Sequence, residues 1–298
     1  MADWFDSNAA LLFLALLDGT VTAFVLALIA LGLSLVFGVM RIVNVSHGEF
    51  FMLGAVLAWA CFNFTGGNEV AGFFLAILIA PIAVAAIAVA MDKTILRRVN
   101  YNPESTIVAT IGLLYIIQQL VLTLYGPEAR PVTAPIYFRV QFPWFGYSGY
   151  KLIVAVASAL LLLGTWAALK RSTLGLYMRA TQQDAETAQA FGVPTRKVYA
   201  AVFALGAGLA AIAGVLVVPI RQADYLMGQE PLLLSFIVVI IGGLGSLRGT
   251  IVAAFIVGIS DGFISVFYEP TLAKILATLM VAAVLVFKPT GLFGEERA

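Results

Sequence analysis

Seven stretches of this chain, 19–40, 50–68, 70–91, 105–127, 152–169, 198–220 and 231–247, contain no charged residue at all. Two more, 249–268 and 270–287, are apolar but for Asp261 and Lys274. A helix rises 1.5 Å per residue, so about 20 apolar residues cross the hydrocarbon core of a bilayer. Most of these runs are long enough; 50–68 and 231–247 are marginal, either full spans or half-helices that dip in and return. The fold class that follows is all-α, a polytopic membrane helix bundle with eight to nine passages, some of them broken. Composition closes off the alternatives. Only 11% of the 298 residues are charged and 62% are apolar, whereas a soluble domain carries roughly 25% charged residues. A net charge of +1 gives no electrostatic reason to bind nucleic acid. One cysteine excludes a disulfide framework, and one histidine leaves little for a multi-histidine metal site. The first residues, Met1 to Asp6, include no basic side chain and do not read as a signal peptide.

Basic residues orient the bundle. With the N-terminus outside and nine alternating passages, the inner segments hold Arg41, the Lys93–Arg98 group, five residues between Lys170 and Lys197, Arg248, Lys288 and Arg297. The outer segments hold Arg130, Arg139, Lys151, Arg221 and Lys274. Lys and Arg near span ends resist translocation, so the asymmetry predicts an outer N-terminus and an inner C-terminus. Segment 126–150, rich in Pro, Tyr, Phe and Trp, then lies outside as an ordered interfacial loop. Segment 170–197 lies inside. The whole chain, 1–298, reads as one transmembrane domain.

Two apolar runs are interrupted alike, 32–58 at Asn44–Gly48 and 232–260 at Gly242–Gly249. Paired interrupted spans point to a transport site. In the first break, Ser46-x-x-Glu49 has capping-box spacing, which would start a helix inside the membrane with its first N–H groups satisfied. Asn44, Ser46, His47 and Glu49 either line a pathway or form an ordinary turn between two spans. Asp261 sits in an apolar stretch and is either a pathway residue or an interfacial one.

Segment 181–194 carries helix punctuation. Thr181 at the N-cap places Asp184 at N3, Asp184 and Glu186 fall where the helix dipole favours anions, Gly192 suits C′ and Pro194 stops the chain. This predicts a helix over 182–191 with an apolar stripe of Ala185, Ala188 and Phe191. So short a helix needs a surface to pack on, either a partner protein or the chain's own spans. No phosphate-binding P-loop, G-x-S-x-G elbow or H-E-x-x-H motif occurs, so nothing marks the chain as an enzyme.

Four segments carry a family resemblance. Val43-Asn44-Val45-Ser46-His47-Gly48-Glu49 through Gly54-Ala55 resembles the N-F-A-H-G-E-x-x-M-x-G-A segment of LivH-type permeases, the inner-membrane subunits of branched-chain amino acid ABC importers. Gly175-Leu176-Tyr177-Met178-Arg179-Ala180 through Phe191-Gly192-Val193 resembles their cytoplasmic R-A…A-x-x-x-G-[IV] loop, Ile241-Gly242-Gly243-Leu244-Gly245-Ser246-Leu247-Arg248-Gly249 their G-G-[IL]-G-S-x-x-G segment, and Lys288-Pro289-Thr290-Gly291-Leu292-Phe293-Gly294 their P-T-G-[IL]-x-G ending. Val45-Ser46 stands for the commoner Phe-Ala, and Arg248 for a commoner Pro. The resemblance implies a helical bundle with broken helices near the pathway. It implies partners as well: a second homologous permease, two ATP-binding-cassette ATPase subunits and a periplasmic binding protein. ATP is then hydrolysed by the partners, and this chain needs no cofactor. Asn44, Ser46, His47, Glu49 and Asp261 become pathway candidates. Arg179, Thr181, Asp184, Ala185, Glu186, Ala188, Phe191 and Gly192 become candidates for ATPase coupling within 170–197. Related permeases carry urea, short amides or other neutral amino acids, so the cargo stays open. A stand-alone channel or secondary transporter shares the composition but leaves the helix at 182–191 without a use.

Overall fold

The computed structural model describes residues 2–288 and 290–294; Arg297, counted above among the inner basic residues, lies outside them. The order is α1 (Ala2–Met40), α2 (His47–Phe64), α3 (Glu69–Met91) with a π-helical turn at Asp92–Leu96, α4 (Pro103–Tyr125), a hairpin of β1 (Arg139–Gln141) and β2 (Gly146–Ser148), α5 (Gly149–Arg171), α6 (Thr173–Gln183), α7 (Ala185–Ala190), α8 (Thr195–Val217), α9 (Gln229–Gly242), α10 (Leu247–Phe267) and α11 (Pro270–Phe287). Seven of these helices are long and apolar enough to span a membrane. α2 opens on the polar His47-Gly48-Glu49 and α9 has only 14 residues. These are the two runs that the sequence marks as marginal, so the passages divide into seven helices that meet the length and apolarity of a span and two beside the breaks that do not, α2 for its polar start and α9 for its length.

The helices start where the sequence supplies acceptors. Asn68 takes the N–H of Ala71 at 3.0 Å, and Asn102, with Pro103 behind it, takes that of Ser105 at 3.0 Å. Both satisfy first-turn N–H donors that have no partner within the helix.

α1 and α8 form the buried centre, while α4 and α11 present Val108, Leu120, Leu124, Leu279 and Val286 outward. An apolar surface of that extent is stable only against lipid or another subunit. Lipid gives helices little hydrophobic reason to associate, so close van der Waals approach holds them. The helix seams are accordingly built of small residues. α10 runs antiparallel to α1, with Gly258 on Ala23 and Gly262 between Ala15 and Gly19; a Cβ on Gly262 would lie 2.5 Å from the Gly19 Cα. α2 crosses α8 with Gly54 on the Ala211 carbonyl and Gly214 on that of Phe51, and Gly32 of α1 meets Gly206 of α8.

α5 separates the two ends of the bundle. At one lies the antiparallel hairpin, with Val140 opposite Tyr147. The connection leading to it is stapled by Arg130, whose guanidinium stacks 4.3 Å from the centre of the Trp59 ring and 4.6 Å from that of Tyr125. At the other end lie residues 97–102, α6, α7 and the turn 243–246. There the buried Asp92 carboxylate accepts from Arg97 Nε at 3.0 Å and from the Tyr101 hydroxyl at 2.9 Å. Burial and that carboxylate both push the Tyr101 phenol above its usual range.

Candidate functional site

α1 ends in a left-handed residue, Arg41 (φ 55°). The chain then turns back along α1, and α2 begins at the level of Ile29 and Gly32 rather than at the end of α1: His47 Nε2 lies 3.0 Å from the Ile29 carbonyl, and its ring touches the space over Gly32. Eight to eleven residues of α1 separate that level from Met40, or about 12–16 Å. The α2 start is therefore deep in the bundle. Asn44, Ser46, His47 and Glu49 are all 0–1% exposed.

The predicted capping box does not form. The Ser46 side chain caps nothing; its hydroxyl donates to Asn44 Oδ1 at 2.7 Å, and the Ser46 N–H donates to the same oxygen at 3.1 Å. The short Asn44 side chain has captured Ser46 in a local turn, an arrangement that competes with capping. The Glu49 N–H reaches the Ser46 carbonyl at 3.1 Å, and its carboxylate turns away to accept from Gln118 Nε2 of α4 at 2.9 Å. Thr110, also of α4, accepts from the Val45 N–H at 3.2 Å. Asn44 Nδ2, His47 Nδ1 and Glu49 Oε2 have no partner among the described residues. Gly48 packs so closely on Gly228 that a Cβ on either would collide with the other's carbonyl. Two helix starts, α2 and α9, thus meet back to back inside the bundle. Gln118 is a site residue that the sequence reading missed; its signal was a polar pair, Gln118-Gln119, amid the apolar run 105–127.

The coupling segment also departs from expectation. The predicted helix 182–191 is two helices, α6 and α7, broken at Asp184. Thr181 lies inside α6, 2% exposed with its hydroxyl unpartnered, and caps nothing. Asp184 is the N-cap rather than N3: Oδ1 takes the N–H groups of Glu186 and Thr187 at 2.9 and 3.1 Å, and Oδ2 the Thr187 hydroxyl at 2.6 Å. Those bonds, the Thr187 hydroxyl first, hold its carboxyl below the usual range. Gly192 takes the left-handed C′ conformation (φ 88°). The apolar stripe splits: Ala188 is buried against the chain itself, Ala185 is half-buried, and Phe191 is 85% exposed. Glu186 is exposed, and Arg179 turns back to the Leu169 carbonyl at the end of α5, at 2.9 Å.

The break and the coupling segment touch. Arg41 Nη2 donates to the carbonyls of Gln182 and Gln183 at 3.2 and 3.3 Å, which are orphan acceptors at the α6 C-terminus where the helix dipole favours a cation. Gln182 Nε2 reaches the Gly245 carbonyl at 3.4 Å, and Gly245 packs on Gly38 of α1. The last turn of α6 is thereby held by both interrupted regions. Arg41 and Gln182 do this, and the sequence marked neither for it.

Asp261 is set apart from that centre. It lines a cavity of about 380 Å³ at the hairpin end, with Asp18, Lys151, Arg221 and Glu230 around it. Asp18 accepts from Lys151 Nζ and the Tyr147 hydroxyl, each at 2.6 Å, and burial with that carboxylate raises the Tyr147 phenol. Glu230 pairs with Arg221 and with Lys274, each at 3.1 Å. No group of three or more His, Cys, Asp or Glu side chains among the described residues is arranged to hold a metal ion.

The family model described as "branched-chain amino acid transport system / permease component" matches residues 15–285. The chain is 24% identical over 296 residues to the high-affinity branched-chain amino acid transport system permease protein BraD of Pseudomonas aeruginosa, covering 94% of this chain and 95% of that one. It is 26% identical over 290 residues to the permease protein LivH of the corresponding Escherichia coli system, covering 90% and 91%. A solved structure, PsaBC from Streptococcus pneumoniae in complex with Fab, superposes with a TM-score of 0.52 over 98% of both chains at 16% identity, a likeness of fold. With a family match over nearly its whole length and these helices, the chain is a multi-pass membrane protein that belongs to the permease components of branched-chain amino acid transport systems.

Proposed function

We propose that this chain is one of two homologous permeases of an ATP-driven importer in a bacterial inner membrane, carrying branched-chain or similar neutral amino acids by alternating access. Its N-terminus and hairpin face the periplasm, where a binding protein delivers the cargo, and α6 and α7 face the cytoplasm. ATPase subunits dock on α6–α7, and their movement reaches the pathway through Arg41 and Gln182. The family match and the relatives' names support the cargo class. The observation that carries the reading is the pair of Arg41 bonds to the Gln182 and Gln183 carbonyls, which join a surface segment to the end of α1, where the chain enters the buried break. Phe191 supports docking, since an aromatic 85% exposed on a polar segment is the kind of anchor that dominates interfaces.

The test combines sidedness with capture. Single cysteines replacing Gln183 and Tyr137, both exposed, are expected to react from opposite sides of intact cells, Tyr137→Cys from outside. Phe191→Asp is expected to lower co-purification of the ATPase subunits and uptake together while membrane insertion persists. Labelling of both cysteines from one side, or full ATPase capture and uptake by Phe191→Asp, overturns the orientation or the docking respectively.

A further inference from the structure

We infer that the cavity at the hairpin end receives a zwitterion with an apolar side chain, Asp261 taking the ammonium group and Arg221 the carboxylate. The inference rests on the permease reading above and adds which side chains meet the cargo.

The cavity, about 380 Å³, falls within the roughly 300–1,000 Å³ of small-molecule sites. Its polarity is graded along one direction. On α1 the lining runs from Asp18 through Val25 to Ile29, a descent of about 16 Å at 1.5 Å per residue. Asp18 and Asp261, the latter beside Gly262 where it packs on Ala15 and Gly19, lie at the hairpin end of that descent, and Ile29, Phe51 and Leu234 supply apolar wall further in. A ligand with charges at one end and a hydrocarbon at the other fits that gradient in one orientation.

The pairing of the charges narrows the choice. Asp18 is taken by Lys151 and Tyr147, and both Glu230 oxygens are taken, one by Arg221 and one by Lys274. Asp261 is half-buried and makes no hydrogen bond or ion pair with any described residue. Arg221, Glu230 and Lys274 are all near enough to act on its charge. A half-buried carboxylate in an apolar wall is costly unless a cation or water meets it, so Asp261 is an acceptor held ready. Arg221 is the most exposed cation of the group, at 53%, and commits one terminal nitrogen to Glu230. The rest of its fork matches a carboxylate. Three acids and two bases line the cavity, and Lys274, paired with Glu230 beside it, supplies a third base, so the group as a whole favours neither a net cation nor a net anion. A free cation would answer Asp261 alone, and a free carboxylate Arg221 alone. A zwitterion answers both.

The test is direct binding to the purified full-length protein in detergent, read by saturation-transfer difference NMR with L-leucine, 4-methylpentanoate, which lacks the amine, and isopentylamine, which lacks the carboxylate. Leucine methyl signals are expected to exceed those of both analogues. Asp261→Asn and Arg221→Gln are each expected to weaken leucine binding about tenfold or more, the scale of one lost charge-assisted bond. Arg221→Gln alters a half-exposed loop residue and guards against misfolding of Asp261→Asn. Lys93→Ala, an exposed residue outside the cavity lining, is expected to leave binding unchanged. Absence of a leucine signal from the wild-type protein, equal leucine binding by Asp261→Asn or Arg221→Gln, or equal binding of isopentylamine overturns the inference. Leucine binding that depends on both residues, in a protein that captures no ATPase subunit, overturns the importer reading and leaves this one standing.

Discussion

Glu49 is 1% exposed, in the first turn of a helix that begins deep in the bundle, and one oxygen of its carboxylate meets Gln118. Its partner sits on α4, 69 residues away in sequence, and holds α2 to that outer span. Removing either member leaves the other buried with a polar group unmet, which costs about 1–3 kcal/mol. Glu49→Ala and Gln118→Ala are each expected to destabilise the protein in detergent by about that much, Glu49→Gln by much less, and the double alanine variant by clearly less than the sum of the singles. Strictly additive losses in thermal or denaturant unfolding would show that the two side chains do not act as a pair. The polarity of residues 44–49 was legible, because Asn, Ser, His and Glu interrupt a long apolar run. Their bonding was not. Ser-x-x-Glu spacing fits a capping box, but an Asx turn two residues earlier and an amide from another helix compete for the same atoms, and only tertiary placement decides between them. Gln118 had a weaker signal, a polar pair within an apolar run, and nothing in the sequence links it to Glu49.

At the scale of elements, the spans follow from hydropathy alone. Every apolar run became a helix, because a bilayer leaves a backbone no other way to satisfy its donors and acceptors, and the two marginal runs became the two that fall short of a span, by polarity in α2 and by length in α9. The polar segment has no such constraint, and there the boundaries moved. Thr181 and Asp184 are both competent caps three residues apart. Burial of Thr181 inside α6 and the extended backbone at Asp184 (φ −154°, ψ 112°) assign the cap to Asp184. Because folding lowers the Asp184 carboxyl, its contribution to α7 is complete above the ordinary carboxylate range and is lost only as pH falls through the lower folded value. Amide-exchange protection over 185–191 is therefore expected to stay flat between about pH 5 and 8 once the intrinsic exchange rate is removed. Asp184→Ala is expected to lose that protection at every pH and Asp184→Asn, another good cap, to keep most of it. Equal protection in wild type and Asp184→Ala would mean that packing of Ala188, rather than the cap, forms α7.

For the molecule as a whole, the question is how a change at the α6–α7 surface reaches the interior. Small residues make the α1–α10 and α2–α8 seams, so these helices touch through backbone and leave little room for side-chain rearrangement between them. Gly48 against Gly228 joins the starts of α2 and α9, and Gly38 against Gly245 joins the end of α1 to the turn before α10. The last turn of α6 is tied into this backbone contact set through Arg41 and Gln182. The Gln182 bond, at 3.4 Å, is long, so Arg41 carries most of the tie. Arg41 is exposed, and its bonds contribute about 1–2 kcal/mol, at the low end for charged groups. That amount shifts a two-state equilibrium by roughly 5–30-fold. It is enough to determine whether α6 and the break move together and too little to determine whether the bundle folds. Arg41→Ala is therefore expected to fold, to insert and to retain bound ATPase subunits, while uptake per ATP hydrolysed falls several-fold. Phe191→Asp, by contrast, is expected to lose the subunits themselves. Measuring capture, hydrolysis and uptake on the same preparations separates the two. Wild-type uptake per ATP from Arg41→Ala would place the transmission elsewhere, and loss of ATPase capture would make Arg41 part of the docking surface.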